Sequence, residues 1–504
     1  MKYLVGIDNG GTYVKTAVFD EYGNQRSVAR EPVTTRAPRL GYAERDLEEL
    51  WNKNSETIKK AVTESQIDPR DIAGVSFSGH GKGLYLVDQK GNPLYRGILS
   101  TDSRAEEYVK KWNLDGTSGR VFEKSLQTIL ACQPVSLLAW LRDHEPEVYE
   151  EIGTIFSVKD YIRYRITGEA YGEYTDFSGG NLVNLVTGAY DRELLACFGL
   201  EDLYNRLPPL KASMEKCGYV TAEAASRIGI PAGTPVAAGM FDVDACGLAS
   251  GLVDTKGMCA IAGTWSINEF VAEQPITNGT VALNSMYCVP GYYLVEESSP
   301  TSAGNLEWVI RNLGLDAGEK AAKSLYERLN RQVEEIMAEE CQVYFLPFLS
   351  GSNEGNGDRA AWIGLTDYHS QAHMLRAVYE GVVFSHWTHI QRLLKNRPMP
   401  HAIRLSGGAA NSDVWLQIFA DVMQVPVEVV QGKEQGALGA AMAAGAAAGI
   451  YTDYKDAAAR MVRVTKTVVP RSYMKEIYEQ KYETYCSIIK ALAPVWDSLK
   501  EEIK

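Results

Sequence analysis

Although the chain has eight cysteines, no two of them form a C-x-x-C pair. Neither a zinc site nor a dithiol redox site is therefore expected. Thiols scattered through 504 residues read as reduced cytoplasmic cysteines rather than a disulfide frame. No run of about 18 apolar residues occurs, so no membrane span is expected. The most apolar stretch, 436–449, is short and broken by glycine and reads as a buried helix. The apolar run at the N-terminus is too short for a secretory signal. Positive charge is also in deficit. The formal net charge of -13 argues against non-specific binding to nucleic acid or to an anionic membrane. No Pro-rich or low-complexity linker divides the chain, so domains should meet at a packed hinge rather than on a tether. Neither a P-loop nor a dinucleotide fingerprint is present.

The composition that remains is ordinary for a globular protein, with 45% hydrophobic and 23% charged residues. The length suggests roughly three domains or two large ones. Residues 2–7 and 14–19 read as a hairpin around the turn Gly10-Gly11-Thr12. Asp46 with Glu49 has the spacing of a capping box, and Leu47, Leu50, Trp51, Ile58 and Val62 follow at helical spacing. A strand over 72–77 runs into His80-Gly81-Lys82-Gly83. The strand-turn-strand pattern returns at 257–271 around Gly263-Thr264. This predicts a weak internal duplication, with domains over 1–248 and 249–504. Helices are predicted over 373–394, 412–423 and 472–502.

Three places could carry chemistry. Asp8-Asn9-Gly10-Gly11-Thr12 ends a strand. Its bare amides and one hydroxyl suit phosphate oxygens, and Asp8 could hold Mg²⁺ through water. The plain alternative is a turn that needs glycine for positive φ. Gly407-Gly408-Ala409-Ala410-Asn411 precedes a helix, so its amides can face an anion or simply turn the chain. Asp242, set among Gly239, Met240, Phe241 and Val243, is a partly desolvated carboxylate able to accept a proton from an alcohol. Gly436-Ala437-Leu438-Gly439 reads as close helix packing rather than ligand contact.

In this order, GIDNGGT, AGMFD, GTW and LSGGAANS resemble the FGGY carbohydrate kinases. A second signature agrees: Ala360, Trp362, Gly364, Leu365, His373 and Ala377-Val378-Tyr379-Glu380. The resemblance implies an α/β fold of two actin-like, ribonuclease H-like ATPase domains flanking a cleft. Sugar would lie mainly on the first domain and ATP mainly on the second. It also implies ATP with Mg²⁺, Asp8 anchoring the metal's water shell, and phosphate or nucleoside contacts from Gly10, Gly11, Thr12, Gly263, Thr264, Gly407, Gly408, Ala409 and Asn411. Asp242 would be the general base. His80, Lys82, Asp102 and Arg104 would contact the sugar. Asp176 matches a further family position, and Asp244 would support the Asp242 loop. The implied substrate is a ketopentose, L-xylulose ahead of D-xylulose, ribulose, glycerol or erythritol. His80 stands where the ketopentose members carry Gln. A homodimer is common in the family.

Overall fold

The computed structural model describes residues 1–281, 283–315, 322–352 and 357–501. The chain packs as two compact units. Unit 1 comprises Met1–Thr255, Val271–Val295 and Gly432–Val462; unit 2 comprises Lys256–Phe270, Glu296–Gln431 and Arg463–Lys504. A single cut after residue 248 describes chain order, whereas packing interleaves the segments.

The sheet of unit 1 is built on β1 (Tyr3–Asn9), β2 (Tyr13–Asp20), β3 (Gln25–Pro32), β4 (Ile72–Gly79), β5 (Lys216–Tyr219), β6 (Pro235–Ala237) and β7 (Met240–Phe241). Its order is β5-β6-β4-β1-β2-β3, with β7 also on β4. β1 and β2 form an antiparallel hairpin, while β4 runs parallel to β1. β1 and β4 are buried along nearly their whole length, and their runs of Val, Ile and Phe suit strands covered on both faces. Helix α1 (Leu47–Glu64) starts where predicted: the Asp46 side chain accepts from the amides of Glu48 and Glu49. The reciprocal half of the predicted capping box is not made, because Glu49 Oε1 accepts from the Thr34 amide instead, at 3.1 Å.

The alanine-rich helix Gln435–Ala447 is buried, as expected, from Gln435 to Gly445. It lies directly on the unit 1 sheet. A Cβ at Gly6 would stand 1.8 Å from Ala437 O, and one at Gly74 would stand 2.6 Å from Ala444 O. One at Gly439 would meet Ala245 O at 2.2 Å. Glycine is required at these points because backbone meets backbone, with no room for a methyl group.

Unit 2 repeats the plan with β8 (Cys259–Ala262), β9 (Ser266–Ala272), β10 (Tyr293–Ser299), β11 (Ile403–Ser406), β12 (Val427–Val430) and β13 (Val464–Val468). The order runs β10-β9-β8-β11-β12-β13. Again the first two strands are an antiparallel hairpin and the first is flanked by a parallel strand, here β11. The duplication predicted from Gly263-Thr264 is thus present in topology. Helices packed in this core include Gln371–Leu393, Asp413–Met423 and Lys475–Glu501. The predicted C-terminal helix is a 3-10 turn over Ser472–Met474 followed by α-helix, and its expected end at Glu502 lies outside the described residues. The second signature acts inside this core. Tyr379 stacks on Trp415 with ring centroids 4.3 Å apart. Buried Glu380 joins Arg376 at 2.8 Å and Lys481 at 2.6 Å, tying in the last helix.

Candidate active site

β1 delivers Asp8 to the rim of the unit 1 sheet. Its Oδ1 accepts from Ser78 Oγ of β4 at 3.0 Å. Lys15 stands opposite it in the hairpin register, and Lys15 Nζ is itself 3.2 Å from Glu434. Burial raises the Asp8 pKa, while Lys15 and the Ser78 hydroxyl pull it back towards the ionised form. Gly436, in the first turn of the alanine-rich helix, leaves the carboxylate its space: a Cβ there would be 3.0 Å from Asp8 Cγ.

The turn that follows, Gly10-Gly11-Thr12, is exposed at Gly11 and Thr12. Neither glycine has positive φ, so backbone handedness does not demand them. A Cβ at Gly11 would meet no atom within 4 Å, so protein packing does not demand that glycine either. What glycine provides at the tip is open space at Gly11, while the Gly10 amide is tied to Tyr13 O at 3.0 Å. Behind the turn lies fully buried Arg45, which donates from Nη2 to Gly11 O at 2.7 Å and from Nη1 to Gly10 O at 3.4 Å. Nothing in the local sequence announced Arg45. It comes from a two-residue strand, Glu44–Arg45, and acts on residues more than thirty positions away.

Asp242 opens the helix Asp242–Ala249, immediately after β7. A carboxylate in a first helical turn sits in the favourable field of the helix N-terminus. The loop is fixed from behind: the Phe241 amide donates to Thr175 Oγ1 at 2.8 Å. Asp244 is fully buried and its Oδ1 accepts from the Cys288 amide at 2.8 Å.

The loop after β4 packs against the same Phe241 ring. A Cβ at Gly81 would come within 2.4 Å of it, and Lys82 Nζ lies 5.3 Å from its centroid. Lys82 adopts left-handed backbone with φ of 64°, an uncommon state for a side-chain-bearing residue. His80 is buried, with Nε2 2.9 Å from Tyr85 Oη and Nδ1 3.3 Å from Gly81 O. A carbonyl only accepts, so Nδ1 carries the proton and Nε2 accepts from the tyrosine. Burial, then the nearby Arg45 cation, pushes the His80 pKa down to about 3. The ring is neutral and both nitrogens have protein partners.

Asp102 and Arg104 follow the short strand Gly97–Ile98 and close on each other. Arg104 Nε and Nη2 reach the two Asp102 oxygens at 3.0 and 2.9 Å, and Nη2 also reaches Glu44 at 2.7 Å. Asp102 Oδ2 accepts from the Ala43 amide at 2.7 Å. Tyr42 and Trp140 cover the guanidinium at 4.0 and 5.0 Å. This is a bidentate, buried ion pair. Asp176 belongs to a second buried cluster, 2.8 Å from Lys159, which also holds Asp160 and Glu173. Burial lifts the Asp176 pKa to about 7.

In unit 2 the corresponding turn is Gly263-Thr264. Gly263 again lacks positive φ, and a Cβ there would meet nothing within 4 Å. Its carbonyl accepts from the Gly304 amide at 3.2 Å, at the start of the helix Gly304–Asn312. The loop after β11 differs. Gly407 has φ of 87°, and a Cβ there would stand 2.5 Å from Ala262 O. Here the fold itself requires glycine. Gly408 has only ordinary contacts at 3.9 Å. Ala409 is buried, and Asn411 Nδ2 donates back to Gly408 O at 3.3 Å.

Two mixed sheets, each opened by a hairpin whose glycine turn has spare room, define an actin-like, ribonuclease H-like ATPase fold. The N-terminal domain of the FGGY family of carbohydrate kinases matches residues 3–249, and the C-terminal domain of that family matches 258–448. The chain belongs to this family and is a carbohydrate kinase. A "Probable L-xylulose kinase" from Pasteurella multocida is 39% identical, covering 98% of this chain and 99% of its own. An "L-xylulose/3-keto-L-gulonate kinase" from Escherichia coli is 36% identical, covering 99% of each. A ligand-bound xylulose kinase structure from Lactobacillus acidophilus superposes with a TM-score of 0.89 at 24% identity, over 99% of this chain and 100% of that one. Among the described residues no helix is long and apolar enough to cross a membrane.

Proposed function

We propose that the protein transfers the γ-phosphoryl group of ATP to the terminal primary hydroxyl of a ketopentose, with L-xylulose preferred. The observation that carries this reading is the packing of two unit 1 loops on one ring. Phe241 fixes Asp242 on one side and takes the Gly81-Lys82 loop on the other. A base and a sugar-facing wall therefore share one edge of one sheet. The names of the two relatives, each more than a third identical, supply the sugar.

In this reading Asp242 removes the hydroxyl proton as the sugar oxygen attacks, a contribution of about 10²–10⁴-fold. The amides of Gly11 and Thr12 and the hydroxyl of Thr12 hold phosphate oxygens from unit 1, and Gly10, whose own amide donates to Tyr13 O, shapes the turn. Gly263 and Thr264 do so from unit 2, and Gly407, Gly408, Ala409 and Asn411 seat the nucleoside. Among the described residues no cluster of three acidic, His or Cys groups could cage a metal. Mg²⁺ is bound by one or two carboxylates with phosphates and retained water, so Asp8 alone, kept ionisable by Lys15 and Ser78, fits it. The ion would neutralise phosphate charge. Lys82 contacts the sugar directly. His80, Asp102 and Arg104 shape the wall that selects it, through Tyr85 and through the covered ion pair. A homodimer and a cytoplasmic location complete this reading on the family resemblance alone.

One observation favours a second substrate. The Lys82 ammonium is held at the wall over Phe241 and would suit a carboxylate, and the relative from Escherichia coli is also named for 3-keto-L-gulonate. The test is ADP release with MgATP across L-xylulose, D-xylulose, L- and D-ribulose, glycerol, erythritol and 3-keto-L-gulonate. Preference for L-xylulose, lost in Asp242→Ala, supports the proposal. Preference for the acid, selectively lost in Lys82→Met, supports the second reading. Sugar-dependent turnover in Asp242→Asn close to that of the native enzyme would end both.

A further inference from the structure

The geometry points to Arg45 as the positioning residue of the nucleotide turn: its guanidinium draws the carbonyls of Gly10 and Gly11 inward and so leaves the amides of Gly11 and Thr12, which share those peptide planes, to face phosphate. The inference rests on the reading of Gly10-Gly11-Thr12 as a phosphate loop.

A turn that is to bind an anion must not present its own carbonyl oxygens to that anion. In a tip made of two glycines, peptide planes rotate with little steric resistance, so something must choose their orientation. Arg45 does so with two charge-assisted donors, at 2.7 Å to Gly11 O and 3.4 Å to Gly10 O. Such bonds are stronger than neutral ones. The other anchors of the turn are backbone bonds at its flanks, Gly10 N to Tyr13 O at 3.0 Å and Val33 N to Thr12 O at 3.1 Å. Neither holds the two glycine carbonyls.

The cation is itself held rigidly. Arg45 has no exposed surface, and its strand pairs with Gly97–Ile98 in fixed register. A buried cation is costly unless its donors are used; the turn carbonyls take one bond from each Nη, while Nε has no hydrogen-bond partner. The turn and the arginine therefore stabilise each other, and the field of the guanidinium favours an anion at the tip. Among the described residues the turn of unit 2 shows no such guanidinium contact, and Gly263 O is held by the Gly304 backbone amide.

The test is calorimetric titration of MgADP into the full-length protein without sugar, alongside steady-state constants for ATP and sugar. The variants are Arg45→Met, Arg45→Lys and, as a reference for the turn, Thr12→Val. Arg45→Met is expected to weaken MgADP about ten-fold and raise the KM for ATP in parallel, equivalent to about 1.4 kcal/mol, with the sugar KM within about two-fold. Arg45→Lys, which can reach one carbonyl but not both, should recover part of the loss. If Arg45→Met is too unstable to titrate, Arg45→Lys carries the test with the same signature at smaller size. A lowered melting temperature with unchanged MgADP affinity and ATP KM would make Arg45 merely structural and overturn the inference. Unchanged MgADP affinity in Thr12→Val would instead remove the phosphate-loop reading, and the role of Arg45 with it.

Discussion

The two hairpins invite a direct comparison, because topology makes them equivalent and chemistry makes them different. Each unit starts with two antiparallel strands around a glycine turn, and each first strand has a parallel neighbour ending in a second loop. In unit 1 those strands and loops, together with β7, present Asp8, His80, Lys82 and Asp242. In unit 2 the candidate positions are Gly263, Thr264, Gly407, Gly408, Ala409 and Asn411, none of them ionisable. Under the proposed function, the duplicated scaffold carries proton and metal chemistry in one copy and backbone recognition in the other. Fold alone would not predict that division, since function resides in the residues placed on the scaffold.

The strongest way to test the comparison is to remove the proposed base, one of the ionisable groups supplied by unit 1. Asp242→Asn keeps the shape of the side chain and abolishes the base, so kcat should fall by about 10²–10⁴-fold. The melting temperature and the KM for ATP should hold. The measurement is steady-state ADP release at saturating sugar. A similar loss from Thr264→Val would mean that the two turns do not divide the work as described.

The next effect separates glycines kept for a ligand from glycines kept for the fold. Gly11→Ala and Gly263→Ala place a methyl group in empty space at ordinary φ. Thermal stability should be unchanged, while the KM for ATP rises by about ten-fold if the space belongs to phosphate. Gly407→Ala should do the opposite. It puts a side chain at φ of 87° and ψ of -170°, a region essentially confined to glycine, at about 1–3 kcal/mol, and drives Cβ to 2.5 Å from Ala262 O, so a fall in melting temperature should dominate. Paired thermal melts and ATP titrations of the three variants decide the matter.

The same contrast explains what the sequence could tell. The glycine turns, Asp8, Asp242 and the Asp46 cap were legible because their chemistry lies in consecutive residues. Both hairpins were legible because they need only alternation and a turn. Arg45 was not, since its partners are Gly10 and Gly11, at sequence separations of 35 and 34. The return of Gln435–Ala447 to the unit 1 sheet was equally hidden. Its helical pattern is written locally, but the glycines that admit it, Gly6 and Gly74, stand far upstream and read alone as strand interruptions. Asp102 and Arg104 carry the reverse lesson. Adjacent charges in a loop suggest ligand contacts, yet here Arg104 reaches both Asp102 oxygens beneath Tyr42 and Trp140. Which partner a charge takes is decided by packing that one segment does not encode.

The smallest effect concerns how unit 1 keeps its ionisable wall in order, and it can be read in the pH dependence of stability. His80 is held neutral, its pKa down at about 3 against an ordinary 6.5, first by burial and then by Arg45. Between those values the folded protein binds fewer protons at this site than the unfolded chain does. The resulting stabilisation is therefore fully present above pH 6.5 and drains away as pH falls towards 3. His80→Gln keeps a donor and an acceptor for Gly81 O and Tyr85 Oη without the titration. Between pH 7 and pH 5 the native protein should lose about 2 kcal/mol more than the variant, read from denaturant midpoints at the two pH values. An equal slope in both proteins would show that His80 is not held neutral by the fold. In that case the His80–Tyr85 contact would no longer account for the order of the sugar wall, and the orienting role would pass to Lys82 and its seat on Phe241.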